Sequence, residues 1–87
     1  TRGNHFHTRK AERFAVIQGH AKIRMRRIGG DNILEYDLSG DAPAFVDIPI
    51  WHTHNITNTG DRELITLFWI SELYDPDDPD TYYEDVD

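Results

Sequence analysis

His5-Phe6-His7-Thr8-Arg9-Lys10-Ala11-Glu12-Arg13-Phe14-Ala15-Val16-Ile17-Gln18-Gly19 is the stretch on which the fold reading turns. Side chains alternate along an extended backbone, so His-x-His on a strand points both imidazoles to one face. Glu12 follows across a bend, and two imidazoles and a carboxylate can then meet at one point. That donor set suits Zn, Fe(II), Mn, Ni or Co and does not suit Ca. Taken alone, two histidines near a chain start are more often simply exposed. Beyond Glu12, Arg13 to Gln18 reads as a strand that stops at Gly19-His20.

Working outward, Ala21 to Arg26 alternates strictly, with Ile23 and Met25 on one face and Lys22, Arg24 and Arg26 on the other. It is expected to pair with the preceding strand across Gly19. Gly29-Gly30-Asp31-Asn32 reads as a hairpin turn into Ile33 to Leu38, and Ser39-Gly40-Asp41-Ala42-Pro43 then breaks the ladder. Further strands are expected at Phe45 to Ile48, near His54 to Thr57 and at Glu63 to Ser71, with no convincing amphipathic helix. Leu64 to Ile70 is apolar on both faces and so expects cover on both sides. In a chain of 87 residues that cover points to a second subunit, hence a homodimer, or to a segment outside this sequence.

Composition limits the function classes. Eighty-seven residues make one small domain. There is no cysteine, so any metal must be held by His and carboxylate. No apolar run approaches the roughly 20 residues of a bilayer span, so no membrane is expected as partner. The net charge of −7 is uneven: eight of the sixteen acids lie in residues 71–87, which hold no Lys or Arg, leaving eight acids against nine bases elsewhere. The body is near neutral, and neither aromatic-basic interleaving nor helix-turn-helix spacing suggests nucleic acid. The tail from Tyr74, broken by Pro76 and Pro79, is expected to be irregular and to pack along the body, not to form a strand. Thr1 is not an initiator Met, which suggests a piece of a longer polypeptide.

Two motifs carry a family resemblance. His5-x-His7-x4-Glu12-x6-Gly19 is similar to the first metal-binding motif of the cupin superfamily, and Pro49-x-Trp51-x2-His54-x3-Asn58 resembles the second, with Trp51 where that family usually has Gly. The resemblance implies an all-β antiparallel cupin (jelly-roll) barrel over residues 1–70, its first strands missing, and an irregular acidic tail over 71–87 against the barrel or a partner subunit. It implies metal ligands His5, His7, Glu12 and His54, with His54 arriving from the opposite end of the sheet. Trp51 is expected to keep an ordinary negative φ and to cap or line the pocket.

A closer likeness lies in His-x-His-Thr-x-x-x-Glu-Arg-Phe-x-Val-Ile-x-Gly-x-Ala-x-Ile-Arg from His5 to Arg24. It continues through Val46-Asp47-Ile48-Pro49, Thr66-Leu67-Phe68-Trp69 and the tail phrase Asp75-Pro76-Asp77-Asp78-Pro79-Asp80-Thr81-Tyr82. These resemble the C-terminal cupin domain of the bifunctional capsular polysaccharide enzymes that make UDP-N-acetyl-L-fucosamine precursors (the CapF/WbjC type). The resemblance implies a cytoplasmic sugar-nucleotide 3-epimerase domain acting on a UDP-4-keto-6-deoxy-N-acetylhexosamine. Its divalent metal would be Zn, with Fe, Mn, Ni or Co as alternatives, and it would be linked to an NADPH-dependent reductase domain. This chain holds no Gly-rich dinucleotide fingerprint.

Epimerisation beside a ketone needs a base, stabilisation of the enolate and reprotonation from the other face. His52, sharing strand parity with His54, and Lys10, in the bend between His7 and Glu12, are the candidate catalytic residues. A His beside a turn and a solvated Lys are the ordinary alternatives. Gln18 is a possible polar contact in the pocket, and Arg24 and Arg26 would either meet a diphosphate or form a solvated face. The competing readings are an Fe or Mn cupin oxidase or dioxygenase, and a non-enzymatic sugar-binding or dimerisation module.

Overall fold

A computed structural model describes residues 2–42, 44–72 and 75–87. Pro43 of the expected chain break and Tyr74 at the start of the expected tail lie outside the described residues. Eight strands form: β1 (Arg2–Phe6), β2 (Glu12–Gln18), β3 (His20–Arg27), β4 (Ile33–Ser39), β5 (Phe45–Ile48), β6 (His52–Asn58), β7 (Ile65–Ile70) and β8 (Tyr82–Tyr83). All their pairings are antiparallel, and the described residues contain no helix.

The strands make two sheets, one ordered β4-β3-β6-β1-β8 and the other β5-β2-β7. The expected β3–β4 hairpin across Gly29-Gly30 is present. The expected pairing of β2 with β3 is not: β2 pairs with β5 and β7, while β3 pairs with β4 and β6. Gly19, at φ +88, turns the chain from one sheet into the other. A side chain there would meet the Glu63 carbonyl at 3.0 Å, so the corner is also tight.

The core fills the space between the sheets. Ala21, Ile23, Met25 and Leu38 from β3 and β4 meet Val16, Val46 and Ile48 from β2 and β5. The two ends are unequally filled. Val46 and Ile48 are buried, whereas Phe68, on the inward face of β7 opposite Phe14, stands 60% exposed. The sandwich is therefore closed at one end and open at the other. The double cover expected for β7 is absent among the described residues: it is an edge strand, and Ile65, Leu67 and Trp69 on its outer face are exposed as well. In a two-layer sandwich each sheet has one face against the other, so the outer face of β7 is left without a layer.

The tail departs from expectation in one respect. Tyr82 and Tyr83 pair with Phe6 and His5 and so extend the larger sheet, because the last Pro lies upstream and leaves the backbone N–H groups of this segment available. Arg24 and Arg26 anchor the residues beyond Tyr83. Arg24 pairs with Asp87 at 2.8 Å. Arg26 pairs with Glu84 at 2.8 Å and donates to the carbonyls of Val86 at 2.8 Å and Asp85 at 2.9 Å. Arg24 and Arg26 thus hold the tail, while Lys22 pairs with Glu35 on β4 at 3.6 Å, and Val86 is fully buried.

Candidate metal centre

His5 and His54 are direct cross-strand partners in the β1–β6 ladder, and Met25 flanks His54 on the other side. His54 therefore does not come from the far end of the sheet. Facing residues of neighbouring antiparallel strands share a side, so both imidazoles turn toward the smaller sheet. His7 lies just past the end of β1, and Glu12 opens β2 in the opposite sheet. The bend of residues 8–11 thus joins the two layers and brings ligands from both together.

One donor atom from each of His5, His7, Glu12 and His54 lies within 4.8 Å of the other three. Glu12 Oε1 is at the middle: His7 Nε2 donates to it, His54 Nε2 is 3.6 Å away and His5 Nε2 4.0 Å. The His5 and His54 rings meet edge to face at 4.6 Å. Each ring has a fixed outer side. His54 Nδ1 donates to the His52 carbonyl at 3.2 Å, and His7 Nδ1 donates to the Asp80 carbonyl at 2.6 Å. Both Nε2 atoms are thereby directed inward.

The electrostatics of the group follow from burial and from Glu12. Burial pushes the His54 imidazole down to about 4, so it is neutral at pH 7. Burial likewise lowers His5. For His7 burial acts in the same direction, but the hydrogen bonds to Glu12 and to the Asp80 carbonyl outweigh it and the imidazole is raised. Burial would raise Glu12; the His7 hydrogen bond and the three nearby imidazoles hold it below the ordinary carboxylate range.

His54 Nε2 is buried and has no hydrogen-bond partner. An unpartnered lone pair in a protein interior is costly, by roughly 1–3 kcal/mol. Here it points at a carboxylate oxygen, which cannot donate to it. Three imidazole nitrogens and one carboxylate oxygen, with this orphaned nitrogen among them, fit a borderline divalent cation. His5 is the one partly exposed member of the four, which marks the accessible side. Its ladder partner Tyr83 is highly exposed on the same side, and Phe68 stands at the open end of the sandwich.

The other candidates fall around this group. Lys10 is buried, and its charge acts on both His5 and His7. His52 is half-buried and outside the four, with Nδ1 donating to the Ile50 carbonyl at 3.0 Å. Gln18 instead donates to the Glu63 carbonyl at 3.1 Å. Trp51 corrects the expectation of an ordinary backbone: its φ is +60, where bulky residues are rare. It is held there by its N–H to the His7 carbonyl at 2.7 Å, by the Ile28 N–H to its own carbonyl at 2.8 Å, and by stacking on Phe6 with centroids 5.7 Å apart. The residue that sequence reasoning passed over is Asp80, which looks like any other acid in the tail.

Comparison with known proteins places this architecture. Residues 1–82 match the model of the polysaccharide biosynthesis C-terminal domain. The chain belongs to that family. It is 39% identical over 83 residues to the UDP-2-acetamido-2,6-beta-L-arabino-hexul-4-ose reductase of Pseudomonas aeruginosa, covering 94% of this chain and 22% of the relative. Among solved structures it is similar to the capsular polysaccharide assembling protein CapF of Staphylococcus aureus, with 47% identity and a TM-score of 0.94 over 98% of this chain and 23% of that one. CapF with the inhibitor 3-isopropenyl-tropolone gives the same identity and TM-score over 25% of that chain. The chain thus spans about a quarter or less of the relatives it matches. The two-sheet antiparallel sandwich of this polysaccharide biosynthesis domain is a small cupin fold of the CapF type.

Proposed function

We propose that this domain binds a divalent cation, Zn foremost, through His5, His7, Glu12 and His54, and that it epimerises C3 of a UDP-4-keto-6-deoxy-N-acetylhexosamine. The observation that carries the metal reading is the convergence of four donor atoms on one point, with the buried His54 Nε2 otherwise unpartnered. The substrate class is supported by the Pseudomonas relative, whose name specifies a UDP-linked 2-acetamido hexul-4-ose. A ketone at C4 acidifies the hydrogen on C3, so inversion there needs no oxidant or reductant. The C3–H bond breaks, its electron pair moves into the C4 carbonyl, and a proton returns to C3 from the opposite face. The tropolone bound by CapF also presents adjacent keto and hydroxyl oxygens, a pattern suited to chelation.

A bound cation would supply Lewis-acid polarisation of the ketone oxygen where a coordination position is open. This chain's residues do the rest. His54 keeps a neutral Nε2 lone pair inward by donating from Nδ1, the Asp80 carbonyl turns His7 so that its Nε2 faces Glu12, where a bound cation would replace the shared proton, and Glu12 supplies the negative charge. Lys10 is the stronger candidate to move the C3 proton, at Nζ, because it is buried beside the group and its charge acts on His5 and His7. His52 is the second candidate, sharing the face of His54 along β6. Phe68, exposed on the inward face of β7, and Tyr83, exposed beside His5, would flank an entering sugar nucleotide. We infer that the domain works beside the reductase portion that its longer relatives carry.

The test is deuterium exchange. Zn-loaded chain incubated with the 4-keto UDP-sugar in D2O is expected to place deuterium at C3, read by NMR, and Glu12→Gln to abolish both the exchange and Zn retention. No exchange at C3 from a folded, Zn-loaded chain would overturn the epimerase reading. Oxygen consumption by the Fe-loaded chain would favour an oxidase instead.

A further inference from the structure

Seven of the eight acids in residues 71–87 are exposed; Asp80 alone is buried, at 2% exposure. Its carboxylate accepts from the Thr8 N–H at 3.0 Å, the Thr8 hydroxyl at 2.5 Å, the Arg9 N–H at 2.7 Å and the Lys10 N–H at 3.3 Å. Its backbone carbonyl takes the Nδ1 proton of His7 at 2.6 Å. Asp80 adopts φ +51, a conformation that Asp tolerates better than most residues, so carbonyl and carboxylate both serve one short loop.

That loop is the link between His7, at the end of β1, and Glu12, at the start of β2 in the other sheet. Fixing three successive N–H groups of residues 8–10 fixes the separation of two donors that no shared sheet holds together. Fixing Nδ1 of His7 sets which nitrogen of that ring faces inward. The converging donors are three N–H groups and one hydroxyl, and a carboxylate is acceptor-only. An Asn amide nitrogen would face these donors with a donor of its own.

We infer that Asp80 is the positioning residue of this centre, acting through the 8–10 loop and His7 without touching a ligand itself. The inference rests on the metal reading proposed above. The acidic tail then has two parts: Asp80, which shapes the site, and the exposed acids around it.

The experiment compares the parent chain with Asp80→Asn, Thr8→Val and Ile23→Val. Ile23 is a core residue remote in role from the centre and serves as a stability control. Three readouts are taken: Zn(II) affinity by chelator competition, amide hydrogen exchange of the metal-free protein, and thermal melting. Asp80→Asn is expected to weaken Zn(II) binding by about 10- to 100-fold and to speed exchange at residues 8, 9 and 10 while β3 and β6 stay protected. Ile23→Val is expected to lower the melting temperature and leave the affinity unchanged. An Asp80→Asn protein with parental affinity and parental protection of the loop overturns the inference, as does an equal affinity loss in Ile23→Val. Should Asp80→Asn fail to fold, Thr8→Val, which removes only the hydroxyl donor, decides: weaker Zn(II) binding supports positioning, and unchanged affinity overturns it. A parent chain that binds no Zn(II) refutes the metal reading, and loop exchange then judges by itself whether Asp80 sets the His7–Glu12 link.

Discussion

Replacing Trp51 by Gly and by Ala tests whether its left-handed backbone is strained. Trp51 sits at φ +60, is 46% exposed as a residue, and stacks its indole on Phe6. A Trp side chain of up to about 250 Å², half covered, buries on the order of 100 Å², worth about 2.5 kcal/mol at ~25 cal/mol per Å². The ring pair adds about 0.5–1.5 kcal/mol. Both variants lose these contacts equally, so Trp51→Ala is expected to be about 3–4 kcal/mol less stable than the parent. The two differ at Cβ. A non-Gly residue in this region is disfavoured by about 1–2 kcal/mol, while Gly loses about 0.4–1 kcal/mol more entropy on folding than Ala. Trp51→Gly should therefore exceed Trp51→Ala by about 0.5–1 kcal/mol, or roughly 2–8 °C in melting temperature for a domain of this size. Urea unfolding of the three proteins measures it. An Ala variant more stable than the Gly variant by the full entropy difference of about 0.4–1 kcal/mol would show that no strain is stored at this position and that contacts alone explain the residue.

Three other outcomes are expected. Arg26→Ala removes the guanidinium that holds Glu84, Asp85 and Val86, and should lower stability by about 2 kcal/mol and open the chain beyond Thr81 to limited proteolysis; parental resistance would mean that Val86 burial alone secures the tail. Gly3→Ala places a Cβ 2.8 Å from the His54 carbonyl at φ +112, so it should destabilise by more than about 2 kcal/mol and weaken Zn(II) binding, and a neutral result in both assays would count against the tight β1–β6 approach. Leu67→Glu, on the exposed outer face of β7, should change the folding stability of the isolated chain by less than about 0.5 kcal/mol; if the homodimer expected from the two-sided apolar strand forms through this face, the substitution shifts sedimentation to monomer, and unaltered association would place the dimer contact elsewhere.

The reading of local pattern transfers well where one strand is concerned. The alternation of Ala21 to Arg26 gives Ile23 and Met25 to the core and the basic residues to the other face, as the burial of β3 shows. The Gly29-Gly30 hairpin is likewise local. Gly19 misled because a glycine between two strands reads the same whether the chain folds back within a sheet or crosses to another. The double apolar character of β7 was legible, but whether its outer face is covered depends on a further layer packing there, and among the described residues none does. Trp51 was expected to need an ordinary φ because a bulky side chain disfavours the alternative; two backbone hydrogen bonds and an aromatic stack outweigh that preference.

The sequence alone determined the chemistry available: three imidazoles and a carboxylate at the spacing of a family motif, no cysteine to compete, and an acidic tail. These features rest on residue type and on the period of two that any extended backbone imposes. Only the tertiary structure decided that His5 and His54 are ladder partners, that Glu12 reaches them from the other sheet, and that one acid of the tail is buried against the loop between His7 and Glu12. Such contacts join residues up to 73 positions apart, as between His7 and Asp80. They are set by which surfaces can be buried together, and no local pattern of a single chain records that.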